Sequence, residues 1–271
     1  MILNYDETEK ADISIINQIK LGKYYYDINN NIDKSIVLFG NCHMFPIGFF
    51  LDYLLNMKYN IIIINSWIFD KLLNELKINQ TEYDNISNIL RDIIIKSDIL
   101  IYQKHFTNYL GFANNVENIV VNKKFCIPNI QLMYKNDISF LAHSKYSTNF
   151  IQAYNFSHDK LTKSIEDSDF INLLFILNNL ENEFFFRTPM HPTHYLLFII
   201  SDLIRSKIIN EPIQEDISYY YTHKNIYYDK IKKINTLIRL PNSKYFLTIE
   251  EKKISKLKYE ENLKDDKIDV Y

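Results

Sequence analysis

Four short apolar runs, separated by longer stretches, constrain this chain more than anything else in it. They are "SIVLF" (35–39), "NIIIIN" (60–65), "DILIYQ" (98–103) and "KFCI" (124–127), and each ends where the chemistry turns polar. An unbroken apolar run has no side to offer water, so such a strand is buried on both faces. Between the first three lie helical patterns. "FPIGFFLDYLLNMK" spaces Phe45, Phe49 and Tyr53 four apart, with Pro46 suited to a first helical turn. "YDNISNILRDIIIKS" puts Ile86, Ile89, Leu90, Ile93 and Ile94 on one face. Strand, helix, strand, helix, strand with buried strands implies βαβ crossovers and a parallel sheet. The predicted class is α/β: a small parallel sheet flanked by helices, with a largely helical C-terminal part.

The second half reads differently. "DFINLLFILNNL" (169–180) predicts a helix apolar all round, and "PTHYLLFIISDLIRSKI" (192–208) predicts another. From Glu211 the chain is polar and rich in tyrosine and lysine, and "TIEEKKISKLKYEENLK" (248–264) reads as a surface helix opened by a Thr248/Glu251 capping box. No sharp boundary separates these parts. The expected organisation is one domain over 1–271, with a core over 35–208 and a helical extension over 211–271.

Charge narrows the partners. Lys and Arg number 31, Asp and Glu 33, and the formal net charge is −2, so no global basic field points to nucleic acid. The N-terminus carries acidic residues where a signal peptide needs a basic start. The apolar runs "YLLFII" and "IIII" fall far short of the roughly 20 residues that span a bilayer. The expected location is the cytoplasm, or the inner face of the membrane as a peripheral protein, with no transmembrane segment.

The chain has four glycines and two cysteines, and one of each falls in Gly40-Asn41-Cys42, where the first strand becomes a helix. In parallel sheets, ligands bind beyond the carboxyl ends of the strands. Asn65 and Gln103 mark two other such ends. Glycine permits a tight turn and close approach to the backbone. A helix start leaves backbone N–H groups without partners and favours negative charge. A cysteine there is expected to have its pKa lowered from about 8.5. The same amides, with the side chain of Asn41, can hold the oxyanion of an acyl-transfer intermediate. The alternative for Cys42 is a small buried residue, the reading that also fits Cys126 inside its apolar strand.

A thiol nucleophile needs a base within reach. Of seven histidines, His43 is adjacent to the cysteine and does not face it from a helix start. His191 and His194 stand out, in "RTPMHPTHYLLF". With Pro192 as first helical residue, His191 is expected at the N-cap, where the helix end keeps the ring neutral as a general base requires. His194 lies one turn on. The pair without a third ligand nearby gives no metal expectation.

"IVLFGNCHMFPIGFFLDYL", "SDILIYQKH", "FCIPNIQLMYKND" and "RTPMHPTHYLLFIISDLI" occur in an order that resembles the capsular polysaccharide biosynthesis acetyltransferase family of the WcbI type, over about residues 35 to 208. That family has Gly-Asn-Cys followed by Gln, an Asp-hydrophobic-Gln strand, an Ile-Pro-Asn segment and a late His-Pro before a helix. Here His43 stands in place of that Gln. The resemblance implies a core distantly similar to SGNH hydrolases and to flavodoxin-like sheets. It also implies binding of coenzyme A, with acetyl-coenzyme A as donor and a sugar hydroxyl of a surface polysaccharide as acceptor. Carried over by position, Cys42 looks like the nucleophile and His191 like its partner, with His194 as the alternative base. Gly40, Asn41 and Gln103 look like the oxyanion and substrate-facing shell.

Coenzyme A brings phosphates, and Lys104 and Arg187 are close in sequence to two of these motifs. Two other function classes share the same residues. One is an esterase or thioesterase on the same Cys–His pair, and the other a non-catalytic glycan-binding protein.

Overall fold

The computed structural model describes residues 25–29, 31–65, 79–103, 113–130, 150–178, 186–188, 191–212, 219, 226 and 229. The elements run β1 (Tyr26–Asp27), β2 (Ser35–Gly40), α1 (Met44–Leu54), β3 (Asn60–Asn65), α2 (Gln80–Lys96), β4 (Ile99–Gln103), a 3-10 turn (Ala113–Asn118) and β5 (Lys123–Ile127). After these come α3 (Phe150–Glu166), a second 3-10 turn (Ile171–Leu174) leading into the short α4 (Phe175–Asn178), the ribbon β6 (Phe186–Thr188) and β7 (His191–Pro192), and α5 (His194–Ile208).

The fold is α/β. Five strands form one sheet in the order β1-β3-β2-β4-β5. Strands β2 to β5 are parallel, and β1 adds an antiparallel edge against β3. The four apolar runs are the four parallel strands, with ends moved by at most one residue. From β2 the chain steps to β3 on one side, then crosses to β4 on the other. Right-handed crossovers taken in opposite directions put their helices on opposite faces. Accordingly α1 packs with Ile36, Leu38, Ile61 and Ile63, while Ile86, Leu90 and Ile94 of α2 pack with Val37, Phe39, Ile62 and Ile64. The gap between β2 and β4 is therefore the switch point, where open α/β sheets bind ligands.

Local chemistry sets the helix ends. α2 begins earlier than its apolar spacing suggests, because Asn79 and Glu82 form a reciprocal capping box. Ile89, expected on its inner face, is exposed. With few glycines available, α1 and α5 both stop on an asparagine in the left-handed region, Asn56 (φ 54°) and Asn210 (φ 55°). Gly48 of α1 lets the helix sit tightly on the sheet: a Cβ there would stand 2.7 Å from Cδ1 of Ile63.

Two expectations about helices change. Residues 169–178 do not form one helix, 179–180 lying outside the described residues: a 3-10 turn leads into α4, and Ile171 faces solvent while Phe170, Leu173 and Ile176 are buried. Asp169 accounts for the late start, since its carboxylate accepts from Cys126 N–H and its own N–H donates to the Cys126 carbonyl, tying it to β5. The second change concerns α5, which starts at His194 with Thr193 as its cap. Twelve of its fifteen residues are buried, which makes it a central helix. The 248–264 segment lies outside the described residues, as does nearly all of the chain after Glu211. Among the described residues, no helix is long and apolar enough to cross a membrane.

Candidate functional site

The carboxyl ends of the four parallel strands each deliver an amide side chain. Asn65 closes β3, Asn41 follows β2, Gln103 closes β4 and Asn129 follows β5. Three of them meet. Gln103 Oε1 accepts from the Asn41 backbone N–H at 2.9 Å, and its Nε2 donates to the Pro128 carbonyl at 3.3 Å. Asn41 Oδ1 accepts from the His43 N–H at 2.9 Å, and Asn41 Nδ2 donates to Asn129 Oδ1 at 3.3 Å. The Asn129 N–H in turn donates to Ser164 Oγ of α3 at 2.7 Å. Asn41 is 4% exposed and Gln103 2%. A buried amide is costly unless bonded, so these bonds fix the turn rather than decorate it.

Gly40 is required by that packing. A Cβ at this position would stand 2.4 Å from Gln103 Oε1 and 3.0 Å from the Met44 methyl. Gly40→Ala is expected to push Gln103 off the Asn41 amide and to cost about 1–3 kcal/mol. Chemical denaturation measures the loss, and faster hydrogen exchange at the Asn41 amide reports its cause. Unchanged exchange there would mean that Gln103 does not hold the turn.

Cys42, next in the chain, is exposed, whereas Cys126 is buried in β5. Cys126 lies beside Tyr102, whose pKa is raised, mainly by burial and then by Cys126. Cys42 therefore stands at the switch point with its side chain open to solvent. The amide ring expected around it is largely used up. Met44 N–H donates to the Asn41 carbonyl, Phe45 N–H to that of Cys42 and Ile47 N–H to that of His43. The Asn41 and His43 amides are taken by Gln103 and Asn41, as above. The reason is that the chain winds into helix immediately after Asn41, so the first-turn donors find intrachain acceptors. Asn41 Nδ2 keeps a second hydrogen and is a side-chain donor adjacent to Cys42 in sequence.

The histidines come from α5. Lys123, at the start of β5 and on the same face as Phe125 and Ile127, donates to the Ile208 carbonyl at 3.1 Å. The last carbonyl of α5 thus lies over the amino end of the sheet. The helix runs against the strands and carries its N-terminus toward the carboxyl end, the end where Cys42 lies. His191 is not the N-cap. It pairs with Thr188 in the β6–β7 ribbon, and the hydroxyl of Thr193 caps the helix by accepting from Leu196 N–H at 3.3 Å. Threonine outcompetes histidine there because its short hydroxyl reaches the second or third amide of the turn. The helix-end argument consequently moves from His191 to His194, the first residue of α5.

His194 is 9% exposed and stands edge-on to Phe50 of α1, with ring centroids 5.7 Å apart. Phe50 lies eight positions after Cys42, about 12 Å further along the helix, although a helical Phe ring leans back toward the N-terminus.

No family model, no curated protein and no solved structure matches the chain.

The site therefore rests on its own geometry. Gly40, Asn41 and Gln103 are brought together as one hydrogen-bonded unit directly beneath Cys42. His191 and His194 are brought to the same end of the sheet. Arg187 lies in β6 of the ribbon that holds His191. The side chains of Arg187 and His191, and the whole of Lys104, are outside the described residues. Among the described residues, no three His, Cys, Asp or Glu side chains stand close enough to hold a metal ion. Asn129 was legible only as part of an Ile-Pro-Asn segment. A polar residue just past an apolar strand is the signal that points to it.

Proposed function

We propose that this chain is an acyltransferase that moves an acyl group, acetyl in the first instance, from coenzyme A to a sugar hydroxyl of a surface polysaccharide. The observation that carries the reading is an exposed thiol at the switch point of a parallel sheet, on a turn built from buried amides. A cysteine kept only for packing would be buried, as Cys126 is.

In the proposed reaction, His191 takes the proton of Cys42. The thiolate attacks the carbonyl carbon of the acyl thioester. The tetrahedral intermediate collapses with cleavage of the carbon–sulfur bond to coenzyme A, and the departing thiolate recovers the proton from His191. The sugar hydroxyl then attacks the acyl-cysteine and gives its proton to His191. Cys42 leaves as thiolate and is reprotonated. One thioester replaces another in the first half, so the step needs mainly positioning and stabilisation of the oxyanion. Asn41 Nδ2 is the proposed oxyanion donor. Lys104 and Arg187 are the proposed contacts for the phosphates of coenzyme A. His191 is preferred to His194 as base because the latter is packed against Phe50.

Incubating the protein with acetyl-coenzyme A tests this. The expected result is free coenzyme A thiol, plus a mass increase of one acetyl group on the peptide bearing Cys42. Turnover is expected only when a saccharide acceptor is added. Steady thiol release without saccharide would convert the reading to a thioesterase, and no release with any saccharide would leave a binding protein.

A further inference from the structure

We propose that Asn129 is a positioning residue that sets the reactivity of Cys42, acting through Asn41. The inference rests on Cys42 being the reacting group, and it goes beyond the acyl transfer proposed above by assigning what tunes that thiol.

Asn41 is the only residue between the end of β2 and Cys42, so its conformation sets where the Cys42 backbone starts. Its side chain closes a local turn by accepting the His43 N–H, two residues on. An asparagine amide can rotate about its last torsion, and that rotation would swap the acceptor for the NH2 and break the turn. Asn129 opposes this together with the His43 amide. Its Oδ1 accepts the Asn41 Nδ2 at 3.3 Å, which only one of the two orientations allows. Asn129 is itself anchored, through its backbone N–H on Ser164 Oγ of α3. Ser164 is buried, so the anchor is part of the folded core. Two hydrogen bonds thus run from α3 through the end of β5 to Asn41, the residue preceding the thiol, and a third runs on from Asn41 to the His43 amide.

The consequence is chemical. A thiolate at a helix start is favoured only while the sulfur keeps its place relative to the helix end. Loss of Asn129 frees Asn41 to rotate, loosens the His43 amide and lets the sulfur move away from that field.

The test is the pH dependence of alkylation of Cys42 by iodoacetamide, read by mass spectrometry on its own peptide in the folded protein. In Asn129→Ala the pH midpoint is expected to rise, slowing alkylation at neutral pH by about threefold to tenfold. In an Asn41→Ala background, removing Asn129 is expected to change nothing further, because the effect passes through Asn41. Ser164→Ala is expected to shift the midpoint the same way by less, and it serves if Asn129→Ala does not fold. An unchanged midpoint in Asn129→Ala or in a folded Ser164→Ala overturns the proposal. So does a full Asn129 effect when Asn41 is already alanine. Alkylation needs no acyl donor, so the two readings fail separately. A shifted midpoint without acetyl transfer sinks only the transferase, and transfer with an unshifted midpoint sinks only the role of Asn129.

Discussion

Replacing Phe50 with alanine is expected to lower the unfolding free energy by about 3–5 kcal/mol, out of the roughly 5–15 kcal/mol typical of a domain. Phe50 is fully buried and sits between α1 and α5. Its ring meets that of Phe198 at 5.3 Å and 73°, and that of His194 at 5.7 Å and 84°, both edge-to-face. Removing the ring forfeits its transfer energy and leaves a cavity lined by two helices that also pack on the sheet and cannot both collapse into it. It also deletes two edge-to-face pairs, each worth about 0.5–1.5 kcal/mol beyond burial. Phe50→Leu keeps most of the volume and is expected to cost less than about 1.5 kcal/mol. Urea unfolding at constant slope measures both. A loss in Phe50→Ala below about 1 kcal/mol would mean that the α1–α5 interface is not close-packed. The functional side of the experiment concerns the site. Phe50 is a wall of His194, and α5 carries the β7 histidine at its head, so the proposed acyl transfer should fall in Phe50→Ala more than the folded fraction does.

Cys42→Ala is expected to abolish the proposed acyl transfer, by about 10³-fold or more, while leaving stability within about 0.5 kcal/mol of the parent. The two halves have the same structural origin. An exposed side chain contributes little burial, so its removal costs the fold little. In the proposed reaction a nucleophile is needed for every turnover, and no other thiol can replace it, because Cys126 is shut inside β5. Thiol release from acetyl-coenzyme A with saccharide present gives the activity, and a thermal melt gives the stability. Residual activity within about tenfold of the parent would remove Cys42 from the reaction and favour direct transfer by a histidine base.

His191 and Asn41 show how differently the parts of this site can be read. The turn at Gly40-Asn41-Cys42 could be located from sequence, because a scarce glycine at the end of an apolar strand marks a place where the backbone must bend sharply or be approached closely. Its bonding could not, because Gln103 and Asn129 reach it from 62 and 88 residues away. The N-cap of α5 was misplaced by two residues for a related reason. Pro192 fits a first helical position by its φ, but pairing of β7 with β6 holds it extended, and that pairing is a contact no local pattern reveals.

The order of residues along this chain settled its four parallel strands, the burial of β2, β3 and β4 on both faces, the crossovers and hence the α/β class, since periodicity and apolar content are local properties that any tertiary arrangement must respect; it missed β1, β6 and β7, and it overstated the burial of β5, where Lys124 is exposed. Folding alone decided that the thiol faces water, that the first-turn amides are consumed within the turn, and that three amides from separate strands lock beneath it. Those facts depend on hydrogen-bond partners and on exposure, and both are set by what packs alongside rather than by what comes next in the chain.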